Sequence, residues 1–311
     1  MDTKNPKSYM AAKKRVVWLD GKLIDAEKAK VPILTHSLQY GSGIFEGIRS
    51  YHTDRGAAVF RLGDHVKRFF ATAKIYGMDL GLTQEQMASA ILKTVKASGF
   101  KECYIRPFAF YNDSRIGMST EGKRISVFVG TQEMGSYLQK KGDGVRCKIS
   151  SWRRINSEIL PVEAKASGNY LNSIVANEEA KRLGFDEAIL LSSNGYVAEG
   201  PGENIFIVKD GNLVTPGKGS DILLGITRDS LIKVAESLGI KTDERMVHKE
   251  EIYTADELFF AGTAAEMTPI SEVDGIRIGD GNGRITKLLW NKFSDIIHGR
   301  DKQFEDWLTP V

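Results

Sequence analysis

A lysine set among small residues, Ala164-Lys165-Ala166-Ser167-Gly168-Asn169-Tyr170, is followed downstream by an acidic, glycine-rich turn, Glu199-Gly200-Pro201-Gly202-Glu203-Asn204. Small neighbours let another group approach the lysine closely. An amine can hold an aldehyde and a carboxylate can keep a pyridine nitrogen protonated, which is what pyridoxal phosphate (PLP) chemistry needs. Each stretch alone has an ordinary reading, a surface lysine or a turn acid facing water. Together, with anion-binding candidates further along, they make a cofactor site. Gly225-Ile226-Thr227 opens an expected helix, where free N–H groups and the positive dipole end suit a phosphate, although N-capping by Thr227 is the commoner event. Gly262-Thr263-Ala264-Ala265 offers further backbone donors and a hydroxyl after an apolar strand. His65 and Arg68 share a helix face, and the planar Arg68 fork suits phosphate oxygens. Tyr104 and Arg106 alternate on a strand and project to one side, so the cation needs either a substrate carboxylate or an internal acid.

The elements that must position these groups are legible in patches. Val16–Leu19 and Lys22–Ile24 flank Asp20-Gly21, a hairpin signal. Val59–Leu62 reads as a strand, and Asp64-His65 opens a helix to about Gly77. Thr83 with Gln86 reads as a capping box for a helix ending near Gly99. Cys103–Phe110 and Ile125–Val129 are buried strands. Beyond Gly130 the apolar periodicity lapses. The expected division is a small N-terminal α/β domain over 1–130, a linker over 131–141 and a larger cofactor-binding domain over 142–311. In the latter, hairpins turn at Asn194-Gly195 and Asp210-Gly211, and helices cover Ser173–Leu183, Arg228–Leu238 and Thr286 to about His298. Mixed elements with frequent hairpins indicate an α+β fold.

The composition sets bounds. The length of 311 residues favours two domains, and 41% hydrophobic with 27% charged residues is an ordinary globular balance. A net charge of +3 argues against nucleic acid as the main partner. Cys103 and Cys147 stand in no metal-ligating or redox spacing, which fits a reducing cytoplasm. No secretory signal and no bilayer-length apolar stretch are expected. Gly41-Ser42-Gly43-Ile44-Phe45-Glu46-Gly47 fails as a dinucleotide fingerprint because its last glycine is one residue late. A non-catalytic metabolite-binding module is the competitor to an enzyme.

In order along nearly the whole chain, the motifs His36–Gly41, Ile44–Arg49, His65 with Arg68, Tyr104–Pro107, Ala164–Tyr170, Glu199–Asn204, Gly225–Asp229 and Ala261–Glu266 resemble the fold-type IV PLP enzymes. The similarity is strongest to the branched-chain amino acid aminotransferases. The resemblance implies that Lys165 is the Schiff-base lysine and acid–base, that Glu199 faces the pyridine nitrogen, and that Tyr170 bonds the ring oxygen. It implies phosphate binding by Arg68, Ile226, Thr227 and Thr263 around Gly225. Phe45, Tyr137, Tyr170 and Ala265 would line an apolar pocket, and Tyr104, Arg106 and the Thr263-Ala264 backbone would receive carboxylates. It further implies a homodimer with Tyr40 reaching into the partner's site, and transamination of Leu, Ile and Val with 2-oxoglutarate. Two stretches depart from the family pattern. The loop Tyr111–Thr120 places Arg115 near the expected substrate entrance, and Met134 stands where close relatives carry a tryptophan. They suggest a wider or more polar pocket, with a D-amino acid or (R)-amine transaminase as the alternative.

Overall fold

The computed structural model describes residues 15–134, 144–280 and 283–311. The chain begins with a hairpin, β1 (Val16–Leu19) and β2 (Lys22–Asp25). A short helix α1 (His36–Tyr40) follows, then β3 (Gly43–Phe45), β4 (Ile48–Thr53) and β5 (Gly56–Phe60). Helices α2 (Leu62–Ile75) and α3 (Gln84–Ser98) precede β6 (Cys103–Tyr111) and β7 (Ile125–Gln132). The α3 capping box forms as expected: Gln86 N–H donates to Thr83 Oγ1, and Thr83 N–H donates to the Gln86 side chain. The expected strand at Val59–Leu62 is two residues too long. The chain turns at Arg61, which adopts φ 50°, ψ 39°, and Leu62 already belongs to α2.

The second part contains β8 (Val145–Arg153), α4 (Tyr170–Arg182), β9 (Glu187–Leu191), β10 (Val197–Glu199), β11 (Asn204–Lys209) and β12 (Asn212–Pro216). It continues through α5 (Ile226–Ser237), β13 (Thr242–Arg245), α6 (Lys249–Tyr253), β14 (Glu257–Gly262), β15 (Glu266–Val273), β16 (Ile276–Arg277) and α7 (Arg284–Ile297). The last strand, β17 (Leu308–Pro310), returns to the first part.

Among the described residues, one sheet runs β17-β5-β4-β6-β7-β1-β2 with β3 beside β6, and the other runs β10-β9-β8-β15-β14-β11-β12-β13 with β16 beside β15. All the pairings of the first sheet are antiparallel, whereas β8 lies parallel to both β9 and β15, and β12 to β13. This is the α+β mixture expected of the sequence. The expected linker at 131–141 begins inside β7, and 135–141 lie outside the described residues.

Buried apolar clusters bind the layers, a small one packing Ala176 and Ala180 of α4 on Ala188 and Leu190 of β9. Ile48, Val59 and Ile105 of the first sheet pack on Phe69, Met87 and Ile91 of α2 and α3. Phe206 and Phe259 pack on Leu231, Val234, Leu289 and Phe293 of α5 and α7, and this cluster takes in Tyr51 and Phe60 from the first sheet. The opposite face of the second sheet packs Ile189, Ile205, Phe260 and Ile270 with Ile252 of α6. Each such side chain contributes about 1.5–3 kcal/mol when fully buried. The cluster around Phe206 and Phe259 joins the two sheets where Tyr51 of β4 and Phe60 of β5 meet α5 and α7, with the Phe60 and Phe293 ring centroids 5.6 Å apart.

Candidate active site

Lys165 lies in the segment between β8 and α4, and its main chain is tied to the first sheet. Its N–H donates to Thr72 Oγ1 at 3.2 Å, and its carbonyl accepts from Phe45 N–H at 3.0 Å. The Asn169 amide pins the same loop by donating to the Pro161 and Ala164 carbonyls, each at 3.1 Å. The backbone being fixed, the side chain points to Tyr170, with Nζ 2.8 Å from the phenol oxygen and 5.2 Å from the centre of the Phe45 ring. Phe45 and Tyr170 touch with ring centroids 4.8 Å apart.

Glu199 ends β10, where the pairing with β9 slips register between Val197 and Glu199. A bulge of this kind re-aims a side chain. The carboxylate is buried and fully engaged: Arg154 Nε donates to Oε1 at 2.7 Å, Asn204 Nδ2 to Oε2 at 3.0 Å, and Leu223 N–H reaches both oxygens at 3.2–3.3 Å. Burial pushes its pKa up, and the Arg154 guanidinium opposes that rise. Lys165, Tyr170, Glu199 and Arg154 line one cleft together with Arg68, Gly225, Ile226, Thr227 and Thr263.

The far end of that cleft is shaped for an anion. Gly225 is the N-cap of α5 and makes no side-chain cap, so Ile226 and Thr227 occupy the first turn with outward N–H groups. This corrects the expected capping by Thr227, which sits inside the helix and leaves its hydroxyl free of that duty. A Cβ at Gly225 would run into Asn204 Oδ1, so this approach requires glycine. Arg68 reaches in from α2. Its Nε and Nη2 fork onto Glu46 at 2.6 and 2.9 Å, and its Nη1 donates to the Leu224 carbonyl at 3.0 Å. Glu46 is entirely buried and also contacts His65 Nδ1 at 2.7 Å. Burial alone would raise the Glu46 carboxyl, but Arg68 and His65 more than reverse this and hold it far below the usual range. Thr263, after β14, completes the cleft, and Ala264 and Ala265 continue the turn into β15.

On the side towards the first sheet, Tyr104 and Arg106 do project together. Arg106 Nη2 donates to the Tyr104 hydroxyl at 2.8 Å, the guanidinium lies 4.4 Å over the Phe45 ring, and its buried Nε has no partner. An orphaned guanidinium N–H beside an apolar wall is a receptor for a carboxylate. Tyr40 stands apart from the cleft lining. It is 40% exposed, and its hydroxyl accepts from Gly117 N–H at 3.2 Å. Arg115 is bound within its own loop, to both Asp113 oxygens at 2.9 and 3.0 Å and to the Gly122 carbonyl at 2.8 Å. The cation expected in this loop is thus present and paired with Asp113. Tyr137 lies outside the described residues.

Sequence reasoning missed Arg154, Glu46 as the anchor of Arg68, and the behaviour of Glu203. The Glu203 side chain accepts from Gly202 N–H at 3.0 Å, and its carbonyl accepts from Gly200 N–H at 2.7 Å, so it closes the turn that presents Glu199. Burial, with Glu187 and Glu199 adding to it, pushes its pKa up to about 8.

The family model for class IV amino-transferases matches residues 43–273. A branched-chain-amino-acid aminotransferase of Pseudomonas aeruginosa is 39% identical over 305 residues, covering 97% of this chain and 99% of that one. Among solved structures, the branched-chain aminotransferase of Thermoproteus uzoniensis with norvaline superposes with a TM-score of 0.91 at 46% identity, over 95% of this chain and 99% of that one. The branched-chain amino acid aminotransferase of Thermobaculum terrenum in its PLP form gives a TM-score of 0.90 at 34% identity, over 96% of this chain and 98% of that one.

Proposed function

Because the chain belongs to the class IV aminotransferase family, we propose that it transfers the amino group of branched-chain L-amino acids to 2-oxoglutarate, giving branched 2-oxo acids and L-glutamate. The observation that carries this reading is the meeting of Lys165 and Glu199 in one cleft that ends on the N-terminus of α5. The residues fit PLP: an amine at one edge, a buried carboxylate at another, and a glycine-lined helix start with Arg68 and two threonines at the end. When bound, PLP supplies the electron sink that makes the substrate Cα–H acidic. Lys165 Nζ then moves the proton from Cα, oriented by the Tyr170 hydroxyl at 2.8 Å. Arg154 keeps Glu199 ionised so that it can hold the proton of the ring nitrogen. Ile226, Thr227, Thr263 and Arg68 bind the phosphate.

Phe45 and Tyr170 give the side-chain pocket an apolar wall, joined by Ala265. Tyr104, Arg106 and the Thr263-Ala264 backbone receive carboxylates, Arg106 serving the glutamate half-reaction. One distant guanidinium beside apolar walls lets a single pocket take isobutyl-sized groups and a carboxylate in turn. We assign the working form as a homodimer in the cytoplasm, with the partner subunit's Tyr40 completing each pocket; the exposure of the Tyr40 ring supports this. The D-amino acid or (R)-amine alternative is not favoured, since the relatives above are branched-chain aminotransferases and the Arg115 charge is met by Asp113. The test is a substrate panel with 2-oxoglutarate: L-leucine, L-isoleucine and L-valine turn over fastest and yield L-glutamate. Inactivity on L-leucine with turnover of D-alanine or (R)-1-phenylethylamine contradicts the assignment.

A further inference from the structure

Arg61 sits at the N-terminus of α2, in the left-handed backbone region at φ 50° and ψ 39°, and only 8% exposed. Neither choice favours local stability. A non-glycine residue in that region is strained, and a cation at a helix start opposes the dipole, where Ser, Asp or Asn would cap it. Its contacts explain the placement. Nε donates to Asp64 Oδ2 at 2.5 Å on its own helix, while Nη1 donates to Asp229 Oδ2 at 2.8 Å and Ser230 Oγ at 3.0 Å on α5. The guanidinium lies 4.8 Å over the Trp307 ring, and the Arg61 N–H donates to the Trp307 carbonyl at 2.7 Å.

A second tie is made by Arg68, seven residues along α2, which donates to the carbonyl of Leu224 in the segment leading into α5 at 3.0 Å. Leu224 immediately precedes Gly225, and Asp229 follows Thr227 by two residues. The Ile226-Thr227 turn is therefore flanked in sequence by two contacts, to Arg68 before it at Leu224 and to Arg61 after it at Asp229 and Ser230. We propose that Arg61 is a positioning residue for the phosphate cup: it fixes the first turn of α5 against α2 so that Arg68 and the Ile226-Thr227 turn face a single dianion. This rests on reading the cleft as a PLP site.

The test compares apo-protein binding of PLP with that of pyridoxal, which lacks the phosphate, by titration of the absorbance change. Arg61→Gln is expected to weaken PLP by about 10-fold, the worth of one charged hydrogen bond. Pyridoxal binding stays within about 2-fold, because the lysine and ring contacts do not depend on the cup. Asp229→Asn, which retains the Asp64 and Ser230 contacts, is expected to lose a smaller factor in the same phosphate-specific sense, and it decides the matter if Arg61→Gln does not fold. Arg61→Lys, which keeps the charge without the fork, is expected to fall between the wild type and Arg61→Gln. Equal weakening of both ligands, or no change in either variant, overturns the proposal. A wild type that takes up no PLP overturns the cofactor reading and this proposal with it. A wild type that binds PLP, with unaltered variants, overturns this proposal alone.

Discussion

Replacing Arg154 by Met removes the only cation hydrogen-bonded to Glu199 among the described residues while retaining an apolar side chain of similar length. Both groups are buried, with side chains 8% and 7% exposed and 2.7 Å apart. Two unit charges about 4 Å apart attract by roughly 4 kcal/mol at an effective dielectric of 20. Breaking a buried pair by deleting one partner costs about 3–5 kcal/mol, because the remaining charge is stranded. The Glu199 carboxylate keeps its bonds from Asn204 and Leu223, but burial then raises its pKa with its strongest opponent, the Arg154 charge, removed. A folded-state carboxyl with a raised pKa binds more protons than the unfolded chain, so the variant loses stability as pH rises above the ordinary glutamate value. Arg154→Met is thus expected to cost the cofactor-free protein about 3–5 kcal/mol at pH 7, and less at pH 5. Urea unfolding followed by circular dichroism at both pH values measures this. The Arg154→Met/Glu199→Gln double variant should recover at least about 2 kcal/mol of the loss, since no charge is then stranded. A cost below about 1 kcal/mol, or a double variant equal to the sum of its parts, refutes the reasoning.

Gly225→Ala drives a methyl group into Asn204 Oδ1, whose amide binds both Glu199 and the Leu223 carbonyl. It is expected to cost about 1–3 kcal/mol and to weaken PLP retention, read by thermal unfolding and cofactor release on dialysis. Glu203 has its pKa raised to about 8 from an ordinary 4.5. The folded state therefore holds more protons between those values, and its contribution to stability falls as pH rises through that window. Glu203→Gln is expected to flatten the decline in melting temperature between pH 5 and pH 8; an unchanged slope counts against the assignment.

Much of the fold was legible where local chemistry is strong. The Thr83 box, the Asp20-Gly21 hairpin and the helix ends near Gly99 and Leu238 are set by neighbouring residues, and they appear where expected. The strand β15 was missed because Pro269 interrupts its pattern, and a proline argues against a central strand. It is tolerated because β8 pairs with β15 only from Ile270 onwards. The β17 strand is three residues long and gains its place only by pairing with β5, which no local signal announces. In the site, Lys165 and Glu199 stood out by their small and glycine-rich surroundings. Arg154 did not, because it belongs to no motif and meets Glu199 only through the pairings of β8 with β9 and of β9 with β10. The sole hint was a pair of arginines closing an otherwise alternating strand. Glu46 was hidden within a glycine run that fails as a nucleotide loop, and its worth lies in two side chains about twenty residues away on α2.

The central claim is a covalent one, and reduction tests it most directly. The purified protein, loaded with PLP and treated with borohydride, should carry a single phosphopyridoxyl group. Peptide mass mapping should place that group on Lys165, and Lys165→Ala should bind the cofactor without retaining it after reduction. A phosphopyridoxyl group on any other lysine, or full labelling of Lys165→Ala, contradicts the account.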